Sequence, residues 1–383
     1  MSRSPAWRTA SLADVATVDP EPISGSRRQM IDYVSLEDVR QGRILASTRV
    51  RLEAAPSRAR RRLRDGDVLF GTVRPNLQSH AQYRGGLKNP VASTGFAVIR
   101  ARDGEAVPSF LAQWVLGYDA SRQVERLIAG SNYPAVSGPD VRLFQVRLPD
   151  IEAQAQIAAA LGDADDYMAV LERLIAKKRA IKQGMMQQLL TGKTRLPGFT
   201  RPWDRNLLGA VARIKTGLRN NQDKQAGGRY PFFVRSATVE RIDSYSYDCE
   251  AILVPGEGGI GSIFHYANGK FEVHQRVYKI SDFASAVRGR FVFHYMRQYF
   301  GRHAMENSVK ATVDSLRLPT FRNFRLDLPA LDEQDAIIAA LDDAESELGA
   351  LERRLAKARG IKQGMTQELL TGKARIPASE AAV

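Results

Sequence analysis

The sequence has little cysteine and no long apolar run, and each shortage excludes a class of protein. Its 383 residues include a single cysteine, Cys249, so no disulfide can form within the chain and no zinc site can be built from several thiolates. No stretch of about 18 apolar residues is present to span a bilayer, and no signal-peptide core follows Met1. We therefore expect a soluble protein of the reducing cytoplasm with no membrane association.

Sequence motifs that mark catalytic centres are also lacking. The five histidines show no metal-ligand spacing, and we find no nucleophile elbow, no convincing carboxylate pair and no amino-methyltransferase tetrapeptide. Residues 256–261 match G-x-G-x-x-G, but a strand-like segment follows them where dinucleotide binding requires a helix. We interpret them as a glycine-rich turn, and the Thr-Gly-Lys at 191–193 as a helix end. The chain is expected to carry no catalytic residues, no metal and no cofactor of its own.

The excess of basic residues limits the choice of partners. The chain has 56 Lys+Arg against 42 Asp+Glu, a formal net charge of +14. Such a charge favours polyanions, either nucleic acid or an anionic membrane surface, although charge alone also fits an unrelated basic protein. The length suits two or more domains.

An internal repeat organises the chain. Residues 148–197 and 328–377 align without a gap, and 28 of the 50 pairs are identical. Trp7 and Leu12 have the same spacing as Trp203 and Leu208, after which the preceding segments diverge. A variable unit is therefore followed by a constant unit, twice. The predicted segments are a first globular domain at 1–147, a first helical spacer at 148–197, a second globular domain at 198–327, and a second spacer with the tail at 328–383.

Apolar residues at steps of four and three predict that each constant unit is a long helix with a coiled-coil seam. Gly192 and Gly372 are suited to end these helices, because glycine readily takes the left-handed conformation. A helix of roughly 40 residues spans about 60 Å. We expect the two helices to pair as an antiparallel coiled coil about a pseudo-twofold axis; the alternative is that each seam packs on its own domain. The seam and partner-binding candidates are Ile157, Leu161, Leu171, Met185, Leu189, Ile337, Leu341, Leu351, Met365 and Leu369.

The variable units predict two α+β domains. Short apolar runs separated by Gly, Pro and Asn indicate strands, and helices are expected at 109–117 and 289–301. Asn268-Gly269 predicts a hairpin turn between two such runs.

Basic and polar side chains remain as candidates for binding. Lys and Arg neutralise phosphates, while Arg, Asn and Gln also read base edges through paired hydrogen bonds. Any single member is equally well explained as a solvated surface charge, so the prediction rests on the group. The DNA-binding candidates are Arg58, Arg60, Arg61, Arg62, Arg64, Arg74, Asn76, Lys215, Arg219, Asn220, Asn221, Arg235, Ser236, Lys310 and Arg317.

Two DNA-binding domains that differ in sequence and are joined by rigid helices imply a DNA site with two different half-sites. Two other classes stay open. A stand-alone DNA-binding regulator or architectural protein would bind its site tightly without a partner. A DNA enzyme with a disguised active site would modify or cut DNA as the purified chain.

The constant units resemble the specificity subunits of Type I restriction-modification enzymes. The most specific elements are Leu-Pro, then Glu-x-x-Gln or a close variant, a helical seam, Lys-Gln-Gly-Met and Leu-Leu-Thr-Gly-Lys. The second copy has Leu328-Pro329, Glu333-Gln334, Lys362–Met365 and Leu369–Lys373, and the first has Lys182–Met185 and Leu189–Lys193. Ala153 stands where the second copy has Glu333, a small departure.

The resemblance implies that each variable unit is a target-recognition domain that reads one half of a split double-stranded DNA site. It implies that the helices dock two methyltransferase subunits, which bind S-adenosylmethionine and methylate adenine. A motor-nuclease subunit would join them to cut unmethylated DNA, with ATP and Mg bound on partner subunits. The target adenine would be flipped into the pocket of a partner, not into this chain.

Overall fold

A computed structural model of the chain describes residues 7–128, 134–259, 261–306 and 315–376. The chain divides into two compact units, one of Met1–Glu172 with Arg354–Val383 and one of Arg173–Arg353. Both divisions fall inside the two long helices, so each unit contains one variable segment and part of each helix. The predicted α+β class is confirmed, with a sheet-rich domain in each unit.

In the first unit, two four-stranded sheets and two two-stranded sheets precede the first long helix or adjoin its start. Strands β2, β11, β8 and β9 form one four-stranded sheet, and β6, β3, β10 and β7 form the other. The elements are β1 (Arg8–Ser11), α1 (Leu12–Val15), β2 (Ala16–Val18), β3 (Met30–Val34), β4 (Val39–Arg40), β5 (Arg43–Ile44), β6 (Thr48–Arg51), β7 (Ala59–Arg62), β8 (Val68–Gly71), β9 (His80–Gln82), β10 (Pro90–Ser93), β11 (Phe96–Ala101), α2 (Pro108–Val115), α3 (Tyr118–Ile128), α4 (Gly138–Arg142), β12 (Gln145–Leu148) and α5 (Ile151–Leu189).

The second unit has one larger sheet of six strands in the order β14, β19, β17, β18, β15 and β16. The elements are β13 (Asp204–Leu207), α6 (Leu208–Val211), β14 (Arg213–Thr216), β15 (Tyr230–Phe233), β16 (Val239–Ile242), β17 (Tyr247–Pro255), β18 (His265–Val273), β19 (Val277–Ser281), α7 (Gly289–Glu306), α8 (Leu318–Arg322), β20 (Arg325–Leu328) and α9 (Leu331–Leu369). The helices expected at 109–117 and 289–301 are therefore confirmed as α2 and α7, whereas α3 was not anticipated.

The hairpin turn predicted at Asn268-Gly269 is wrong. Both residues lie within β18, where Asn268 is opposite Glu250 and Gly269 is opposite Cys249 of β17. β17 and β18 are nine residues each and pair along most of their length, so the connection between them runs from the end of β17 at Pro255 to the start of β18 at His265. The ladder of interstrand hydrogen bonds outweighs the local turn preference of Asn-Gly.

The long helices α5 and α9 are 39 residues each, close to the predicted length. Each begins two residues after the proline of its Leu-Pro pair. Gly192 and Gly372 follow the helix ends with φ of +65° and +74°, as predicted for helix-ending glycines. A Cβ atom at Gly372 would lie 2.8 Å from the Trp7 ring, and one at Gly192 would lie 3.4 Å from the Trp203 ring. Each repeated tryptophan therefore covers a helix-ending glycine, which leaves no room for a side chain at Gly372.

Repeated glutamines attach the start of each long helix to its own domain. Gln154 Oε1 accepts from the Val107 amide at 2.9 Å, and its Nε2 donates to the Pro149 carbonyl at 2.9 Å. Gln334 makes the equivalent bonds to the Arg288 amide at 2.8 Å and to its preceding proline carbonyl at 2.8 Å. Both side chains are almost fully buried, so both domains hold their helix in the same way.

The hydrophobic core of each domain extends onto the ends of the long helices. Ile157, Leu161 and Leu369 belong to the main core of the first unit. Leu189, Ile337 and Leu341 belong to the main core of the second unit, and Met185 packs against it. No helix in the described part of the chain is long and apolar enough to cross a membrane.

Candidate nucleic-acid interface

In the first unit, three loops meet where the central strand β8 ends. The Thr72 amide donates to the Gly95 carbonyl at 2.8 Å, and the Thr72 carbonyl accepts from the Val136 amide at 2.9 Å. An antiparallel bridge joins Val73 to Ala135 beside them. The segments around residues 72–76, 93–95 and 134–138 therefore form one connected surface.

The second unit has the same backbone bonds where β17 ends. The Gly256 amide donates to the Arg276 carbonyl at 2.8 Å, and the Gly256 carbonyl accepts from the Leu316 amide at 2.8 Å. An antiparallel bridge joins Glu257 to Ser315. We call this arrangement of backbone bonds the loop scaffold. It is formed by Thr72, Gly95 and Val136 in the first unit and by Gly256, Arg276 and Leu316 in the second, although the two sequences have diverged.

This correspondence gives the glycine-rich segment a place in the fold. Residues 256–259 and 261 lie in the connection between β17 and β18, and a strand rather than a helix follows them, which confirms the interpretation made from sequence. They occupy the position that 72–76 has in the first unit. Gly258, Gly259 and Gly261 have φ of +66° to +70°, a backbone conformation that glycine adopts at no steric cost. The segment that superficially matched a dinucleotide motif is therefore the counterpart of a predicted DNA-binding loop.

Strand β7 places the predicted arginine run on two opposite faces. Arg60 is exposed and so is Arg62, whereas Arg61 is half-buried and forms an ion pair with Asp19. Arg58, just before the strand, is exposed, and its carbonyl accepts from the amide of Thr94. Arg58 and Arg60 are the members of the run that face solvent with no carboxylate pair among the described residues.

The remaining arginines of the run share a carboxylate. Glu21 pairs with Arg62 at 3.3 Å, with Arg64 at 2.8 Å and with Arg100 at 3.3 Å. Burial would raise the pKa of Glu21, but the hydrogen bond from Arg100 and the neighbouring guanidinium charges lower it below its ordinary value. Glu21 carries one negative charge against three guanidinium groups, so it offsets only part of the positive charge of Arg62 and Arg64.

The loop after β8 holds Arg74 and Asn76, both exposed. Arg74 has a φ of +48°, which is unusual for a residue other than glycine, and its amide donates to the Pro134 carbonyl at 2.8 Å. A left-handed non-glycine residue costs of order 1–3 kcal/mol and persists only where its surroundings hold it. The surrounding structure therefore holds the backbone of this loop in one defined conformation.

In the second unit, the predicted polar loop is anchored at Arg219. Its Nε lies 3.5 Å from Oε2 of Glu272, a fully buried carboxylate, and its Nη2 donates to Ser244 at 3.2 Å. A Cβ atom on Gly217 would lie 2.0 Å from the Val273 carbonyl oxygen, so only glycine fits where the loop leaves β14. Lys215 lies in that strand and is exposed.

The tip of this loop contacts the turn between β18 and β19. Asn220 accepts a hydrogen bond from Gln275 through its side-chain oxygen, and the Gln275 amide donates to the Arg219 carbonyl at 2.8 Å. Asn221 is exposed beside them. Gln275 is followed by Arg276, whose carbonyl accepts from the Gly256 amide. These polar side chains therefore lie next to the loop scaffold.

Arg235 and Ser236, which follow β15, reach the same scaffold. Arg235 Nη1 lies 3.2 Å from Oε2 of Glu257, and the Ser236 carbonyl is 3.0 Å from a ring nitrogen of His265. Arg317 is exposed at the start of α8. The remaining candidate in this unit, Lys310, lies outside the described residues.

The structure adds residues that sequence reasoning missed. Glu257, Gln275 and Arg276 lie on the second scaffold, and Thr94 lies on the first. A signal was available for Gln275 and Arg276, since they form a polar pair between two apolar strand segments. Their proximity to Arg235 depends on sheet pairing and had no signal in the sequence.

Ion pairs link the two long helices within the first unit. Lys362 Nζ lies 2.6 Å from Asp165 Oδ1, and Arg359 Nη2 lies 2.9 Å from Glu172 Oε1. Arg43, from the β4–β5 hairpin, pairs with the other oxygen of Glu172 at 2.8 Å. The hairpin of the domain and both helices thus meet at one carboxylate.

The second unit repeats these ion pairs with the roles of the helices exchanged. Lys182 lies 3.1 Å from Glu345, and Arg179 lies 2.5 Å from Glu352. These four residues align with Lys362, Asp165, Arg359 and Glu172 in the sequence repeat. Leu171 and Leu351 are buried beside these pairs, whereas Met365 is half-buried.

One group contains the residue types that bind metals. Ligand atoms of His294, Asp342 and Glu345 lie within 4.8 Å of one another. Arg290 pairs with Asp342 at 2.8 Å, and Lys182 pairs with Glu345, so the carboxylates already have cationic partners. Burial lowers the pKa of His294, and its Nε2 lies 2.9 Å from Oδ1 of Asp342. We therefore interpret this group as a set of polar contacts that hold α7 against α9.

The exposed arginines at β7 allow a specific test of DNA binding. From the sequence, replacing Arg60–Arg62 with alanine is expected to weaken DNA binding and to flatten its salt dependence. Because Arg61 pairs with Asp19, the sharper variant replaces only Arg58 and Arg60. We expect the slope of log affinity against log salt to become shallower by up to about 2, since each lost phosphate contact accounts for about 0.9.

The measurement is a salt titration of binding to duplex DNA, made on the chain assembled with the expected methyltransferase subunits. A double replacement of Arg122 and Arg126, two exposed arginines of α3, is the charge-matched control. An unchanged slope in the Arg58 and Arg60 variant would remove these residues from the interface.

Comparisons with known proteins agree with this architecture. The family model for the Type I restriction modification DNA specificity domain matches residues 201–358. The chain is 28% identical over 169 residues to the Type I restriction enzyme EcoDI specificity subunit of Escherichia coli, an alignment that spans 44% of this chain and 37% of that protein. It is 23% identical to the putative Type I restriction enzyme MjaX specificity subunit of Methanocaldococcus jannaschii, over 93% of this chain and 86% of that protein.

Two crystal structures have the same fold over nearly their full lengths. The HsdS subunit from Thermoanaerobacter tengcongensis is 25% identical with a TM-score of 0.51, covering 97% of this chain and 98% of that one. The S subunit of a Type I restriction-modification system from M. genitalium is 11% identical with a TM-score of 0.66, covering 96% and 97%.

The fold and the duplicated loop scaffold define an internally repeated protein of two sheet-rich domains, each continued by a long helix. Residues 201–358 match the model for the Type I restriction modification DNA specificity domain, and nearly the whole chain is similar to a putative specificity subunit of a Type I restriction enzyme. The resemblance stated from the constant units is thereby confirmed.

Proposed function

We propose that this chain is the DNA-reading subunit of a Type I restriction-modification complex. Each globular domain reads one half of a bipartite, asymmetric DNA site. The observation that carries this proposal is the loop scaffold at Thr72 and at Gly256, which has the same backbone bonds in both domains but different side chains. A common scaffold with divergent side chains suits two readers that place different contacts against two different half-sites.

The long helices set the distance between the half-sites in this proposal. We infer that α5 and α9 pair as an antiparallel coiled coil, with the repeats related by a pseudo-twofold axis. Support comes from the exchanged ion pairs, Lys362 with Asp165 and Lys182 with Glu345, and from the burial of Leu171 and Leu351. The functional segments remain those expected from sequence, two domains at 1–147 and 198–327 and two spacers at 148–197 and 328–383.

Catalysis belongs to partner subunits in this proposal. Two methyltransferase subunits bind S-adenosylmethionine and methylate adenine, and a motor-nuclease subunit uses ATP and Mg to cut unmodified DNA. The described residues of this chain include a possible metal-ligand group at Asp342, but its carboxylates are neutralised by basic side chains. We propose a non-catalytic role for the chain, in the cytoplasm.

Modified-base sequencing tests the proposal. The chain and a cognate methyltransferase subunit are expressed together in a host that lacks DNA methylation, with each protein omitted in turn as a control. We expect adenine methylation in a split, asymmetric motif only when both proteins are present.

Other outcomes identify the alternatives. A soluble, associated pair of proteins that leaves no mark on DNA contradicts the proposal and favours a stand-alone DNA-binding protein. Methylation or cleavage by this chain alone would show that it is itself a DNA enzyme.

A further inference from the structure

Two arginines of the second unit share one carboxylate. Arg276 Nη1 lies 2.7 Å from Oε1 of Glu257, and Arg235 Nη1 lies 3.2 Å from Oε2 of the same residue. Both arginine side chains keep more than half of their surface exposed, 59% for Arg276 and 51% for Arg235, whereas Glu257 is 21% exposed. The carboxylate therefore lies beneath two guanidinium groups that face solvent.

The backbone holds all three residues in place. Glu257 forms an antiparallel bridge with Ser315, directly after the scaffold residue Gly256. The Arg276 carbonyl accepts from the Gly256 amide at 2.8 Å, and the Arg276 amide donates to His274 Nδ1 at 3.0 Å. The three side chains thus come from three separate strand ends and meet through tertiary structure.

The two guanidinium groups are close to each other because they pair with the two oxygens of one carboxylate. Burial lowers the pKa of His274, and the positive charges of Arg235 and Arg276 lower it further. Two like charges side by side are unfavourable unless a carboxylate lies between them, which is the position of Glu257. A single carboxylate leaves one positive charge in excess, so the cluster attracts an electron-rich partner.

The chemistry of that partner follows from the guanidinium group. Each guanidinium has five N–H donors in a planar fork, and one bond to a carboxylate leaves donors for a second acceptor pair. In the major groove, O6 and N7 of guanine present two acceptors that match this fork, and arginine on guanine is the commonest specific contact. Phosphate also accepts a fork, but it carries no sequence information.

We propose that Arg235 and Arg276, positioned by Glu257, read guanine in the half-site bound by the second unit. This rests on the proposed function and deepens it. Base reading is favoured over phosphate binding, because Glu257 pairs with the guanidinium groups of both arginines and so limits their orientations. A base edge presents its two acceptors in one direction, whereas a phosphate presents oxygens in several directions, so a fixed orientation matters more for the base.

The test uses the complete complex with the methylation assay already described. Arg276→Lys and Arg235→Lys keep the positive charge but lose the fork. We expect each to relax the requirement for one guanine in the second half-site, with discrimination against the other bases reduced roughly 5- to 150-fold. The first half-site in the same motif is the internal control and keeps its sequence requirement. Arg229→Lys, an exposed arginine paired with Asp243 in the same unit, is the matched control and leaves the motif unchanged.

The positioning role of Glu257 is tested with two variants. Glu257→Gln removes the charge that orients both arginines, and we expect relaxed selection at the same positions. Glu257→Asp keeps the charge and restores part of the selection, a rescue that would not follow from a merely structural role. Thermal unfolding of each variant complex is compared with wild type, so that a folding defect is recognised.

The outcomes separate this proposal from the one on which it rests. If wild type methylates a split motif with no guanine in the second half-site, the guanine assignment is overturned while the proposed function stands. If the lysine variants weaken methylation equally for all sequences, the two arginines bind phosphate instead. If wild type methylates nothing, the proposed function fails first.

Discussion

Replacing Glu333 with alanine is expected to lower the free energy of unfolding of the second unit by about 2–4 kcal/mol. Removing one partner of a buried ion pair leaves the other charge uncompensated, which costs about 3–5 kcal/mol when both are fully buried, and we reduce the figure because Arg195 is 24% exposed. Glu333 is 1% exposed, pairs with Arg195 and accepts from the Trp203 indole N–H at 3.2 Å. Denaturant unfolding of the purified chain measures the change.

A control for this variant is Asp343→Ala, which removes an exposed acidic residue from the same helix. It is expected to change stability by less than about 0.5 kcal/mol, as is usual for surface positions. A loss no larger for Glu333 than for this control would show that the pair with Arg195 contributes nothing net. Ala153 stands at the equivalent position of the first repeat, so the first unit provides no such pair to break.

The second large effect is expected from shortening both long helices. Deleting residues 173–176 and 353–356 removes one four-residue step of the seam from each helix at equivalent places. The helix pair would shorten by about 6 Å at about 1.5 Å per residue. The tolerated gap between the half-sites should shrink by about 2 base pairs, given roughly 3.4 Å per base pair along B-DNA.

Modified-base sequencing of DNA from cells that express this variant with the methyltransferase measures the gap. The bases within each half-site are expected to stay the same, because the deletions lie outside both domain cores. Methylation at the original gap would show that the helices do not set the spacing. A deletion of 173–176 alone serves as a comparison, since it disturbs the register of the exchanged ion pairs without shortening both helices.

Several features of this protein could be predicted from residue patterns that act locally. The seam and the glycines at 192 and 372 predicted two long helices, and the helices have nearly the predicted length. The apolar segment before Gly117 predicted α2, and that before Gly301 predicted α7. Local hydrogen bonding and one-sided burial determine such elements, so the chain reveals them without its tertiary contacts.

Prediction failed where pairing between distant segments outweighs local preference. Asn268-Gly269 is a good turn sequence, yet it lies in β18 because β17 supplies a long partner strand. The arginine run at β7 was treated as one group, although strand alternation turns Arg61 towards Asp19 and leaves Arg60 exposed. The period of two along a strand divides neighbouring residues between faces, and the sequence did not show which strand would form there.

The repeat, the constant helices, the positive charge and the similarity to Type I specificity subunits were all determined by the sequence alone, because each is a property of order and composition along the chain. Only the tertiary structure decided which side chains share a surface. Arg235, Glu257 and Arg276 come from three strand ends and meet only when β15, β17 and β18 join one sheet. Hydrogen bonds between strands act without regard to distance along the chain, so no local pattern records the contact.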